Sequence, residues 1–473
     1  MKPMLFAPEL WLLFGGLLLF GISLGRASGP KARITALGVA VVALAFSLAS
    51  VGQKGELFFA VYRIDFFSQV FKVIITAGLC AVLLFTGRMK DIREEVLPEY
   101  YLFLLLSTLG LVMLVSSVEL LTIFIALELS SYSLYLLVPM RREQKGLRIQ
   151  MESAAKYILF GVVATGVMLF GMSYLFGLTG TTYLSMLLPR LQPLATQPAA
   201  LAGIAMVMGG FFFKLGVFPF HFWIPDVYQG AANETTAFIA TLPKVGAVAL
   251  LIRVVNLIAP HGGAVATLLM VLAIGSMFYG NLIALVQKDI KRLLGFSGIA
   301  HAGYVLLGLI TLKDAGFATA MYYITGYLLM IMACFLVICK VSPDGENVTI
   351  DDLSGLYQRA PFLALVLGVA MFALAGIPPF VGFMGKFMLL TGALREGYLA
   401  LVILAAINTA ISIYYYLSVV RVTYTVDPGD RPFVPVDAAT GAIGIVLVAA
   451  IVYMGVAPAR FVEMASQAMH TLF

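Results

Sequence analysis

Charge is scarce in this chain. Of its 473 residues only 11% are Asp, Glu, Lys or Arg, against about 25% in a soluble domain. A sizeable soluble domain is thereby excluded. Cysteine is scarcer still: Cys80, Cys334 and Cys339, all within apolar runs. An iron–sulfur cluster normally needs more thiolates than this, and no disulfide framework is suggested. Cys334 and Cys339 also point away from each other on a helix. No GxGxxG follows a strand and no CxxCH occurs. "GFMGK" (382–386) lacks the leading glycine of a phosphate-binding loop and has Phe387 where Ser or Thr is required. ATP hydrolysis and electron carriage by this chain alone are therefore not expected, and no metal or cofactor site is expected within it.

What is present is apolar length. The chain is 61% hydrophobic with a mean hydropathy of +1.00, and runs long enough to span a bilayer recur from end to end. The pattern predicts an all-α polytopic membrane protein with about fourteen helices: 8–25, 34–52, 66–87, 98–116, 119–139, 153–177, 198–220, 233–257, 264–286, 290–311, 315–339, 360–393, 397–420 and 437–457. The seventh is expected to break near Pro219. The twelfth is too long for one straight span and holds "AGIPPFVGF" (375–383), so it too is expected to break. The N-terminus has signal-peptide features, but Glu9 within the first apolar stretch favours an uncleaved helix.

Positive charge sets the orientation. Odd-numbered loops carry 17 Lys and Arg: Arg26, Lys31 and Arg33; Arg88, Lys90 and Arg93; Arg141, Arg142, Lys145 and Arg148; Lys288, Lys291 and Arg292; Lys340 and Arg359; Arg421 and Arg431. Even-numbered loops and the termini carry 7: Lys2, Lys54, Arg63, Arg190, Lys313, Arg395 and Arg460. Odd loops are expected in the cytoplasm and both termini outside it.

"GVFPF" (216–220) and "GIPPF" (376–380) both follow long apolar runs, 160 residues apart. Tyr135 on the fifth helix aligns with Tyr304 on the tenth at a similar offset. This suggests two five-helix units. Because five is odd, the second is inverted in the membrane, a transporter signature. The expected division is a three-helix segment (1–97), a first repeat (98–257, helices four to eight), a second repeat (258–424, helices nine to thirteen) and a last helix (425–473). Chance similarity among apolar helices is the competing explanation.

Six of the 30 cations lie within spans: Lys72, Lys156, Lys214, Lys244, Arg253 and Lys386. Lys72 and Arg253 sit near span ends and are expected to snorkel to the surface. Lys156 opens the sixth helix and reads either way. Lys214, Lys244 and Lys386 are deeper, where a cation costs about 2.5–3.5 kcal/mol on insertion scales. Such a residue needs a water-lined interior or a partner, and a purely structural ion pair is the plain alternative. Glu128 is well inside the fifth helix with Ser131 on its face; Glu119 is at that helix's end and reads as interfacial. Ser297, His301 and Tyr304 share one face of helix ten, Tyr323 and Tyr327 of helix eleven, and Asn408, Ser412 and Tyr415 of helix thirteen. Any one stripe can be helix–helix glue. Together with buried lysines, and with His221 beside a break, they read as a hydrated proton relay. A buried lysine gives up its proton more readily than an exposed one, and a nearby carboxylate opposes this.

"ALELSSYSLYLLV", "ESAAKYILFG", "FKLGVFPFHFWIPDVYQGA", "LPKVG", "KRLLGFSGIAHAGY" and "AGIPPFVGFMGKF" resemble the antiporter-like membrane subunit family of bacterial respiratory complex I, the proton-pumping NADH:quinone oxidoreductase, and its subunit N in particular. The likeness covers nearly the whole chain. It implies a proton-translocating subunit without redox groups, with FMN and iron–sulfur clusters in partner subunits. NADH and quinone are then substrates of the whole complex, the location is the bacterial inner membrane, and nucleic acid is not a partner. By motif match Glu128 pairs with Lys214, Lys244 links the half-channels, and Lys386 is the helix-twelve lysine. Lys156, His221, His301 and Tyr304 take supporting places. Multi-subunit Mrp-type cation/proton antiporter subunits share the motifs and are the alternative. A haem protein using His221 and His301 is disfavoured because His221 falls at a break. A scaffold without transport remains the bland reading.

The charge split makes a direct test available. A reporter fused to the C-terminal end should be active when it requires the periplasm and silent when it requires the cytoplasm. The reverse pattern would refute the span count or its orientation.

Overall fold

Lipid offers backbone N–H and C=O groups no partners, so each apolar run must satisfy its own as a helix. The computed structural model describes residues 3–25, 28–87, 89–143, 146, 148–194, 197–258 and 262–472. Lys2, Arg26, Arg88 and Lys145, counted in the charge split, lie outside these. In chain order the helices begin with α1 (Ala7–Ser23) and α2 (Gly29–Ser50). A short antiparallel hairpin of β1 (Gly55–Leu57) and β2 (Tyr62–Ile64) leads to α3 (Phe66–Phe85). Next come α4 (Leu97–Leu114), α5 (Leu120–Leu137), α6 (Ile149–Thr179), α7 (Leu184–Leu191), α8 (Pro198–Leu215), α9 (Trp223–Gly230) and α10 (Asn233–Ile258). Then follow α11 (Gly263–Ala284), α12 (Ile290–Ile310), α13 (Asp314–Val341), α14 (Leu356–Arg359), α15 (Pro361–Ala375), α16 (Val381–Arg395), α17 (Leu399–Thr425), α18 (Ala438–Val456) and α19 (Ala459–Met469).

Among the described residues, 13 helices are long and apolar enough to cross a membrane. The segment expected as a broken twelfth span is two helices, α15 and α16, separated at 376–380. Gly376 ends α15 with φ 85, and its N–H bonds to the carbonyls of Phe372 and Ala373. Gly216 ends α8 the same way, with φ 80 and bonds to Phe212 and Phe213. In each case the next residue's N–H reaches back to the same phenylalanine carbonyl, closing the helix end. The left-handed conformation favours glycine at both points, and a Cβ on Gly216 would run into Ile224.

Other features recur at a similar spacing. Gly110 of α4 packs so that a Cβ would lie 2.6 Å from the Ser130 amide and 2.7 Å from the Ala126 carbonyl of α5. Gly280 of α11 packs against Ala300 and Phe296 of α12 with both distances at 2.6 Å. Each of the three residues in α11 and α12 stands 170 positions after its counterpart in α4 or α5. Glu119 caps α5 through the Thr122 amide, and Asp289 caps α12 through the amides of Lys291 and Arg292. Glu119 is thus a buried capping group rather than a free interfacial carboxylate.

The hairpin, α7 and α19 were not expected from the sequence. The hairpin carries Tyr62, whose hydroxyl donates to Glu9 at 2.6 Å. It also delivers Asp65 to the start of α3, where the carboxylate caps the Ser68 amide and Ser68 returns a bond to the Asp65 amide. That carboxylate further accepts from both terminal nitrogens of Arg253, at 3.0 and 3.2 Å. Arg253 therefore does not snorkel: it is 1% exposed and locked to Asp65. Lys72 does not snorkel either. It is fully buried and pairs with Glu9 at 2.6 Å. Both corrections have one cause. Each carboxylate comes from a distant part of the chain, so closeness to a span end said nothing about access to water.

The helices α10 and α12 are buried along their apolar length, and α13 nearly so, whereas α1, α2, α6, α17 and α18 have less than half of theirs buried. Residues on the first three therefore meet at the centre.

Removing Arg253 strands a buried carboxylate. Arg253→Met should destabilise the solubilised protein by about 3–5 kcal/mol, seen as a lower thermal midpoint. Adding Asp65→Asn, which removes the stranded charge and keeps a capping side chain, should recover part of the loss. An unchanged midpoint in Arg253→Met would show that the pair does not hold α3 to α10.

Candidate functional site

Three lysines lie deep in the helical bundle: Lys214 is 2% exposed, Lys244 1% and Lys386 3%. Each is held differently. Lys386, on α16, reaches back across the break and donates to the carbonyls of Leu374 and Ala375 at 3.0 and 3.2 Å. Those carbonyls end α15 and have no partner within their own helix. They are also the negative end of its dipole, which favours a cation there. The Tyr304 ring lies 5.0 Å away and offers its π face. The break thus supplies the acceptors that the lysine uses.

Lys214 stands on the other side of its own break, in the last turn of α8. It donates to Ser131 Oγ at 3.0 Å, and Ser131 in turn donates to the Leu127 carbonyl at 2.8 Å. Glu128, one turn from Ser131 on α5, accepts from Thr165 at 2.8 Å. No ion pair joins Glu128 to Lys214 among the described residues, although the two lie within electrostatic reach.

Lys244, on α10 just after Pro243, donates to the Gly298 carbonyl at 3.3 Å and the Tyr327 hydroxyl at 3.4 Å. A Cβ on Gly298 would sit 2.8 Å from its ammonium and 2.7 Å from that hydroxyl, so only glycine fits without displacing one of them. One turn further along α12, His301 is hydrogen-bonded at both ring nitrogens. Nδ1 meets the Tyr323 hydroxyl at 2.7 Å and Nε2 the Tyr416 hydroxyl at 3.0 Å. A neutral imidazole donates at one nitrogen and accepts at the other, so either orientation of the chain can be satisfied. Lys244 and Lys386 both lie within electrostatic reach of this ring. Tyr304 bonds the Ala405 carbonyl at 2.9 Å and Thr409 at 2.7 Å, tying α12 to α17.

The structure thus gathers Lys244, His301, Tyr304 and Lys386 around one centre between α10, α12, α13, α16 and α17. Glu128 and Lys214 form a second group between α5, α6 and α8. The other two sequence candidates stand apart. His221 is buried with neither ring nitrogen hydrogen-bonded to any described residue, and its ring packs on Phe218 and Tyr279 at 5.4 and 4.2 Å. Lys156 is at the bundle's edge, 2.7 Å from both Glu152 and Asp226, and Asp226 also holds Arg292 at 2.8 Å. The thirteenth-helix stripe is mostly glue: Asn408 and Tyr415 both bond Asn281 of α11. Tyr416 and Gly298 were missed. Tyr416 lies hidden in "IYYYLS" (413–418), where three consecutive tyrosines give no sign of which faces inward.

A sequence profile described as NADH:quinone oxidoreductase/Mrp antiporter, TM, matches residues 117–412. A protein of Opitutus terrae named NADH-quinone oxidoreductase subunit N 2 is 53% identical over 468 residues, covering 99% of this chain and 98% of that one. A chain of the respiratory complex I of Thermus thermophilus superposes with a TM-score of 0.84 at 30% identity, over 97% of this chain and 99% of the other. A chain of the Mrp complex of Dietzia sp. reaches 0.87 over 99% of this chain and 97% of its own length, at 18% identity, a likeness of fold alone. The chain belongs to the transmembrane family of NADH:quinone oxidoreductase and Mrp antiporter subunits.

Proposed function

We propose that this chain is a proton-translocating membrane subunit of a bacterial NADH:quinone oxidoreductase. One observation carries the transport reading. A structural lysine in this bundle looks like Lys72, clamped to a carboxylate at 2.6 Å. Lys214, Lys244 and Lys386 are as deeply buried, yet each rests only on hydroxyls or carbonyls. Without a fixed counter-charge, an ammonium in lipid is costly to keep and its proton is easily passed on. Glu128 and Lys214 load a proton, Lys244 carries it towards His301, and Lys386 delivers it. His301 is suited to the middle of the path because it takes a proton at one nitrogen and releases one at the other.

The rest of the reading follows the named relatives. Electrons pass from NADH through FMN and iron–sulfur clusters in partner subunits to quinone, and the membrane and peripheral partners are those of complex I. The setting is the bacterial inner membrane, with both termini on the non-cytoplasmic side. Helices α4–α10 and α11–α17 are two inverted repeats, in keeping with the matched glycines, caps and breaks. Lys156 and His221 assist at the edge of the path. The Mrp antiporter reading shares the fold, but the relatives of highest identity reported above carry the oxidoreductase name.

Glu128→Gln and Lys214→Ala should each lower pH-gradient formation in inverted vesicles, normalised to assembled complex. The double substitution should cost less than the sum, because the two groups act on one proton. Additive losses would assign them to separate steps, and full pumping in Glu128→Gln would remove the glutamate from the mechanism.

Lys386→Ala should reduce both pumping and coupled quinone reduction while the complex still assembles. Normal rates at normal abundance would leave Lys386 as a clasp between α15 and α16 and nothing more.

A further inference from the structure

Away from the buried lysines, a cleft of about 650 Å³ opens between the start of α2, the connection from α3 to α4, and the segment after α5. It lies at the end of the bundle where the loops richest in Arg and Lys gather. Arg33, Lys90 and Arg142 line it, against the single carboxylate of Glu94. Lys90 is held by Asp344 at 2.8 Å, and the Arg142 amide donates to the carbonyl of Asp91, whose carboxylate Arg141 approaches at 3.8 Å. Arg33 has no such partner among the described residues. Its Nε is shut off from solvent and makes no hydrogen bond to any described residue, and Tyr101 lines the same cleft. A half-buried guanidinium with no counter-ion, beside two further cations, calls for an anion.

The remaining wall is apolar, with Ile92 and Leu97. Directly beside Arg33 begins an exposed stripe on α2: Ile34, Val41 and Leu48, at 71%, 51% and 56% exposure. These recur every seven residues, on one face. Between them, Gly38 leaves open space where a side chain would stand. A cationic cleft at the end of a spanning helix, with an apolar track that starts one residue after Arg33, matches an amphiphile with a negative head. An acidic protein loop would satisfy the cations and leave the track bare. We propose that this cleft holds the phosphate of an anionic phospholipid, with one acyl chain lying along Ile34, Val41 and Leu48. Arg33 is the principal donor, because a guanidinium binds phosphate oxygens in pairs. The proposal is independent of the transport reading.

The test uses the purified complex and a photoactivatable phosphatidylglycerol, with labelled peptides mapped by mass spectrometry. The label should fall on α2, and Arg33→Gln should weaken labelling about tenfold, with Arg33→Lys partly restoring it. Unlabelled phosphatidylglycerol should compete, whereas phosphatidylcholine and inorganic phosphate should not. If Arg33→Gln fails to assemble, Arg142→Gln reads the same site from another segment. Equal labelling of wild type and both variants would overturn the proposal. Competition by inorganic phosphate would make the cleft a free-anion site instead. Efficient cross-linking of Arg33→Cys to a neighbouring subunit would give it to a protein partner.

Discussion

An unsatisfied backbone group in lipid costs several kcal/mol, and the architecture is organised around that penalty. Unbroken helices avoid it. The two broken ones avoid it only because something else meets the freed carbonyls. At the end of α15 that something is the ammonium of Lys386, bonded to Leu374 and Ala375. The arrangement is mutual: the carbonyls need a donor, and the lysine needs acceptors that do not lock it in place. A carboxylate there would satisfy the lysine too well. Break and cation therefore belong together.

The contrast between two kinds of buried cation runs through the molecule. Lys72 with Glu9 ties α3 to α1 within the three-helix segment, and Arg253 with Asp65 joins that segment to α10. They are rigid, paired and placed near one end. Lys214, Lys244 and Lys386 are met by neutral groups and sit near helix breaks or beside Pro243. Burial does not separate the two kinds. Among these five cations, the chemistry of the first neighbour does.

Much of this was legible in the sequence because lipid leaves few solutions. Apolar length gave the helices, "GVFPF" and "GIPPF" gave the breaks, and a lysine within an apolar run is conspicuous wherever it falls. What the sequence hid were pairings across long distances. Nothing near Lys72 points to Glu9, 63 positions earlier, so snorkelling was the natural expectation for it. The same is true of Tyr416, which reaches His301 from 115 positions away. The hairpin and α19 were hidden for another reason. They lie outside the apolar runs, where hydropathy has no signal to give. The proposed repeat shows both sides. The prolines suggested it loosely, while the tight matches at Gly110 and Gly280 depend on backbone approach that no residue pattern displays.

The deep burial of α10 and α12 carries a consequence for biogenesis. In the finished protein almost nothing on these two helices touches lipid. A chain emerging from the translocon, however, has no bundle to enter. Each helix must first partition into the bilayer by itself, with Lys244 on one and Lys291 and His301 on the other. The long apolar stretches of α10 and α12 therefore serve a transient purpose. They offset the insertion penalty of residues whose surroundings do not yet exist, and the completed neighbours then take that burden over.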